Sequence, residues 1–278
     1  LYEYREGEHR FLLRTAKPPE PNWSPGGTMG AVIWRESSLL NTCMVDEQVE
    51  CKKVAMPWPG AETLDSVATD NDGTLHVPIW TPNPGGKTGS LWLMSIDRKK
   101  RTHFRKLHNL GQKPKHLEVV YQQSGVPIYL LFDNKGVETY QFNSAGKAGL
   151  PLVGRRILLD NPDAPILHAT FSIHPEHGLA IFILQRPKTG TTGQWFSLES
   201  AKLGDPLSLP WPEGAEVQDV SPLHNSAYGL GRIGEEAVFL GVEGEPVPVA
   251  EGAFLGQSGE EILPMLFSPA KGLHPVQR

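Results

Sequence analysis

Ala169-Thr-Phe-Ser-Ile-His-Pro-Glu-His-Gly-Leu-Ala-Ile-Phe182 reads as an apolar strand, a short polar turn and a second apolar strand. The same phrase stands at Trp23–Trp34, Val67–Trp80, Val119–Phe132, Val217–Leu230 and Pro264–Val276. The turn residues Gly27, Gly73, Gly125, Gly178, Asn225 and Gly272 recur at steps of 46, 52, 53, 47 and 47 residues. A four-stranded blade with its turns occupies roughly 40–50 residues. No stretch shows sustained helical periodicity. The expectation is an all-β chain: a six-bladed β-propeller with four-stranded blades. Seven-bladed and five-bladed counts are the alternatives, because each strand signal is weak alone.

A second repeat agrees in register. Pro57-Trp-Pro-Gly-Ala-Glu62 returns as Pro210-Trp-Pro-Glu-Gly-Ala-Glu216, and Trp58 to Trp211 is 153 residues, three steps of 51. It reads as one blade-to-blade linker recurring three blades later. The blades are expected at 23–56, 65–108, 118–158, 168–209 and 219–251. The last blade is closed by both ends of the chain, 264–278 giving inner strands and 1–15 an outer hairpin. Ring closure removes the open sheet edges that otherwise invite mispairing. Leu91, Leu93, Tyr140, Phe142, Trp195, Phe196, Val238 and Leu240 are expected in the core, and Trp34, Trp80 and Trp92 in packing between blades.

Composition fits one turn-rich β domain spanning 1–278, with Gly 29 and Pro 25. The chain begins at Leu1 and is expected to be a processed form or part of something longer. A net charge of −5 gives no global reason to bind nucleic acid. No apolar run is long enough to insert in a membrane. Lys99-Lys100-Arg101 reads as a solvated hairpin tip. Cys43 and Cys51 are equidistant from Glu47, so a hairpin turning there sets them opposite each other. A cross-strand disulfide is expected, and with it an extracytoplasmic (periplasmic or secreted) location.

Trp23-Ser-Pro-Gly-Gly27, Ser221-Pro222, Ser268-Pro269 and the Asp72-Gly73 turn resemble the blade motif of TolB-like propellers. The third and fourth blades lack the Ser-Pro. The resemblance implies the fold and brings no catalytic residue, since such propellers serve as binding scaffolds, sensors or gates beside a separate hydrolase domain.

Two places can carry chemistry. Aligned strand starts put Asn22, Asp65, Glu118, His168, Asp219 and Pro264 around a channel mouth. Their oxygens suit Ca²⁺, which takes six to eight oxygen ligands. A hydrated polar funnel without cofactor is the simpler expectation. The connections Thr81–Ser90 and Gln185–Gln194 carry Lys87, Arg186 and Lys188, which suit an acidic partner or glycan. The main expectation is therefore a non-catalytic scaffold that binds a protein partner or extended ligand. A calcium-dependent lactonase-like hydrolase, with His168 as general base, and a carbohydrate-binding propeller are the alternatives.

Several motifs fail. Gly86-Lys87-Thr88 lacks the earlier Gly and the helix of a phosphate-binding loop. Asp70–Thr74 lacks the terminal Glu of a calcium loop. His174-Pro-Glu-His177 needs a third ligand to hold a metal. Asn22-Trp23-Ser24 is a glycosylation sequon only in a secreted eukaryotic protein.

Overall fold

The computed structural model describes residues 2–5, 8–11, 20–22, 30–36, 38–45, 49–64, 68–69, 73–86, 88–114, 116–121, 127–132, 136–142, 152–160, 163–243, 245–249, 255–258, 263–268 and 272–275. Among these residues there is no helix, and the strands assemble into antiparallel sheets. The chain divides into two compact units, Leu1–Asp133 with Val137–Ile157, and Asn134–Gly136 with Leu158–Arg278.

In the first unit, β1 (Tyr2–Arg5) pairs with β2 (Glu8–Phe11). The second sheet is β3 (Glu20–Asn22), β4 (Gly30–Glu36), β5 (Leu39–Val45) and β6 (Val49–Ala55), in sequence order. The third holds β7 (Glu62–Thr63), β8 (Ala68–Thr69), β9 (Leu75–Pro82), β10 (Gly89–Ile96) and β11 (Thr102–Leu110). Both β7 and β8 pair with β9, so together they form one interrupted first strand. The fourth is β12 (His116–Tyr121), β13 (Pro127–Phe132), β14 (Gly136–Phe142) and β15 (Leu152–Asp160).

In the second unit, the fifth sheet is β16 (Ile166–His174), β17 (Gly178–Gln185), β18 (Thr191–Ser197) and β19 (Leu207–Leu209). The sixth is β20 (Glu216–Leu223), β21 (Ser226–Ile233), β22 (Glu236–Leu240) and β23 (Val247–Pro248). The seventh is β24 (Leu255–Ser258), β25 (Leu263–Ser268) and β26 (Gly272–Pro275). Here β20 runs beside both β16 and β24. The last strands β19 and β23 are very short, which blunts the exposed edge each sheet presents.

The repeated phrase holds the strand pairs expected of it. It joins the first and second strands in the second, fourth, fifth and sixth sheets. The copy at 264 is different: β24 precedes it and pairs with β25, so there it joins the second and third strands. The stretch expected as the last blade falls in two sheets, β1–β2 and β24–β26.

The apolar alternation builds cores between successive sheets. Ile33, Leu40, Val77, Ile79 and Met94 join the second sheet to the third, and Leu91, Leu93, Leu117, Tyr129 and Tyr140 the third to the fourth. In the second unit Phe182, Leu184, Trp195, Trp211, Val238 and Leu240 join the fifth to the sixth. A fully buried Leu, Ile or Phe of this kind contributes about 1.5–3 kcal/mol. All the expected core residues are buried except Phe142, whose side chain lies outside the described residues. Trp80 is buried and Trp92 half-buried, while the side chain of Trp34 lies outside the described residues.

The linker repeat is visible in three dimensions. Ala61 N–H donates to Trp58 O and Ala215 N–H to Pro212 O. These turns bury both alanines and deliver Glu62 and Glu216 as the first residues of β7 and β20. The cysteines stand opposite in the β5–β6 register and form the disulfide, with Cα atoms 4.0 Å apart.

Candidate functional site

The residues expected around a channel mouth sit at different levels of their strands. His168 and Asp219 are equivalent, each following a bulge in the first strand of its sheet, and they pair with Leu184 and Leu230. His168 is buried, and Asp219 Oδ1 accepts a 2.8 Å hydrogen bond from Val220 N–H. Glu118 is the third residue of β12, opposite Leu130, and half-buried. Asn22 closes β3 instead of opening it. Asp65 lies outside the described residues, and so does the side chain of Pro264. Among the described residues no three His, Cys, Asp or Glu side chains converge on a metal position.

The described residues of the Thr81–Ser90 and Gln185–Gln194 connections are strand ends and hydrogen-bonded turns. Strands β9 and β10 extend through Pro82 and from Gly89, and β17 and β18 through Gln185 and from Thr191. Asn83 N–H donates to Thr88 O and its side-chain amide to Thr88 Oγ1, 2.9 Å. Arg186 turns inward: its Nη2 donates to Ala215 O at 2.6 Å, tying this turn to the Pro-Trp-Pro linker. Burial pulls its pKa below the ordinary guanidinium value, and Glu213 partly offsets this. Lys188 is exposed on the turn and Lys87 lies outside the described residues. Of the three cations, Lys188 is the one the described structure presents to solvent. Lys99 and Lys100 are likewise exposed on the β10–β11 turn, where Asp97 Oδ2 accepts from Arg101 Nε at 2.7 Å.

Two other groups stand out. In the second unit His174, the last residue of β16, meets His224 from the β20–β21 turn, with Nε2 and Nδ1 3.2 Å apart. Glu176 N–H donates to His174 Nδ1 at 3.2 Å. His177 stacks on His174 at 4.6 Å and 13°, and Trp195 meets it edge-on at 5.0 Å. Trp195 Nε1 in turn donates to His224 O at 3.2 Å. His174 is buried, while His177 and His224 are exposed. The third imidazole that the His174–His177 pair lacked in sequence is thus present. It makes a hydrogen-bond chain and no metal centre, because one His174 nitrogen is taken by a backbone donor and His177 lies flat on the ring. Desolvation, then the neighbouring His177 and His224, hold the His174 pKa below the usual imidazole value, against a weaker opposing pull from Glu176.

In the first unit Trp58, Trp92 and Phe104 form a half-buried aromatic group on the third sheet. Trp58 and Trp92 centroids are 4.2 Å apart, and Phe104 meets Trp58 edge-on at 5.4 Å. Trp92 Nε1 donates to Thr81 Oγ1 at 3.0 Å, fixing the indole. The exposed Lys106 ammonium stands 6.0 Å from the Trp92 centroid. The linker repeat signalled this group, and a comparison of its two copies shows why they differ. Trp211 is buried over Gly229, where an added Cβ would lie 2.8 Å from the indole. The matching residue of the third sheet is Val77, counting back from the residues paired with Glu216 and Glu62. A valine leaves no such slot, and Trp58 stays partly in solvent.

No family model and no curated protein matches the chain. Solved structures do. An α-L-arabinanase from Penicillium chrysogenum complexed with arabinobiose is 11% identical, with a TM-score of 0.50, covering 90% of this chain and 88% of its own. A provisionally assigned exo-β-1,3-galactanase from Bifidobacterium bifidum s17 is 12% identical, TM-score 0.51, covering 95% and 92%. An arginine-substituted variant of AofleA from Arthrobotrys oligospora is 12% identical, TM-score 0.50, covering 93% and 86%. These similarities are of fold: the chain is similar to propeller-type proteins.

Proposed function

We propose that the chain is a carbohydrate-binding β-propeller of six blades, the last closed by strands from both ends, acting outside the cytoplasm. The observation that carries the reading is the half-exposed Trp58–Trp92–Phe104 group. The face of a pyranose or furanose ring with its C–H bonds outward is apolar and stacks on an indole, while its hydroxyls need donors at the rim. Ligand sites combine an apolar floor with a few placed polar groups. Here the floor is held by the Trp92–Thr81 hydrogen bond, so little side-chain entropy is lost on binding. Lys106 stands at about the outer limit of a cation–π contact. A sugar ring can replace it over the indole while the ammonium donates to hydroxyls.

The glycan class follows by analogy of fold with the arabinanase and the galactanase, and the disulfide supports the location. The test is titration with arabinan and β-galactan oligosaccharides, followed by tryptophan fluorescence. The expected result is saturable binding that weakens at least tenfold in Trp92→Ala and less in Lys106→Gln. Binding undiminished in Trp92→Ala, or no binding to any glycan in a broad array, overturns the reading.

A further inference from the structure

We propose that His174 and His224 form an acid-opened latch joining the first hairpin turns of the fifth and sixth sheets. Glu176 N–H is a backbone group and always donates, so His174 Nδ1 must be its acceptor. The neutral ring then carries its proton on Nε2. That proton faces His224 Nδ1 at 3.2 Å, which must accept it, and His224 carries its own proton on Nε2. One proton per ring satisfies the whole chain, and the direction is set by the backbone.

A second proton on either ring has no place. On His174 Nδ1 it meets the Glu176 N–H, donor against donor. On His224 Nδ1 it meets the His174 Nε2–H. The pair cannot escape by swapping tautomers, because that again puts a proton against the backbone N–H. The charged or titratable groups bearing on His174 are His177 and Glu176 from its own turn and His224 from the neighbouring one. Trp195, from β18, brings no charge. A charged His174 therefore faces two imidazoles and one carboxylate.

The latch reaches the third strand of the fifth sheet as well, since Trp195 Nε1 donates to His224 O. Opening it frees His224 and exposes that indole N–H. Burial holds the folded pKa of His174 below its unfolded value, so the folded state favours the neutral ring. The stabilisation is complete above the unfolded imidazole pKa of about 6.5 and is lost as pH falls through the folded value.

Nitrogen-resolved imidazole NMR on the whole chain, with chelator present, tests it directly. The expected result is His174 and His224 both protonated on Nε2 at pH 7.5, with His174 titrating below the ordinary value; each pH unit of depression is about a tenfold loss of proton affinity. Indole exchange gives a second measurement. The Trp195 N–H should speed up on acidification relative to Trp211, whose N–H is held by Gly241 O. His174→Gln, whose amide can accept from Glu176 N–H and donate towards His224 Nδ1 without titrating, should flatten the fall in urea midpoint between pH 7.5 and 5. A His174 Nδ1–H tautomer, titration of His174 at or above the ordinary value, or an unchanged slope in His174→Gln overturns the latch.

Discussion

Cys43 and Cys51 bridge β5 and β6 where the register sets them opposite, and Arg186 ties the β17–β18 turn to the Pro-Trp-Pro linker through Ala215 O. For the short loop closed by Cys43 and Cys51, the chain-entropy account gives about 2.5 kcal/mol. Reduction should lower the urea-unfolding free energy by about that much. Cys51→Ala should match it, since Cys51 is exposed. Cys43→Ser should cost more, because its hydroxyl enters a site with no solvent access. An unfolding curve insensitive to reductant would contradict the bridge. Arg186→Met, which keeps the stem and loses the charged donor to Ala215 O, should cost about 1.5–3 kcal/mol in the same assay.

Strands and turns were the readable elements; bulges and strand beginnings were not. Alternation marks which residues face the core, but a bulge adds one residue without a compositional sign. The bulges before His168 and Asp219 therefore appear only in the pairing register. Likewise β24 is too short to show a period, so the last copy of the phrase looked like the start of a sheet. Glycines in these sheets act for two separable reasons. Gly178 has φ +63° at the His174 turn and open space around it. Gly193, in β18, lies where an added Cβ would be 2.1 Å from Phe182 Cζ, and Phe182 is itself fully buried. Gly178→Ala should cost about 1–2 kcal/mol from backbone conformation alone. Gly193→Ala must displace a packed ring and should cost more, about 3 kcal/mol or above, since overpacking alone runs about 1–3 kcal/mol. Urea midpoints of the two variants check the order, and a Gly178 variant worse than the Gly193 one would refute the packing account.

At the scale of the molecule, the repeat made the sheets and their order legible, because each copy needs a neighbour to cover its apolar face. The count of blades was less legible, since it depends on the ends, where one phrase copy and one hairpin must be assigned by elimination. On the proposal of six four-stranded blades, the three strands of the β24–β26 sheet lack one, and a strand from the N-terminal stretch supplies it. If so, the two stretches share one folding unit across almost the whole sequence, and their loss is coupled. Deleting residues 1–15 should then expose the outer edge of β26 and raise amide exchange throughout 255–275. It should also lower the unfolding midpoint of the entire chain, because an opened ring leaves two unpaired edges and one half-built core. If the hairpin instead belongs to a separate seventh blade or folds by itself, exchange in 255–275 stays at its wild-type level and only the signals of 1–15 disappear. Exchange measured peptide by peptide, with the same deletion followed by urea unfolding, separates these outcomes. The first pattern requires that the ends of the chain complete each other's sheet; the second removes the closure and with it the count of six.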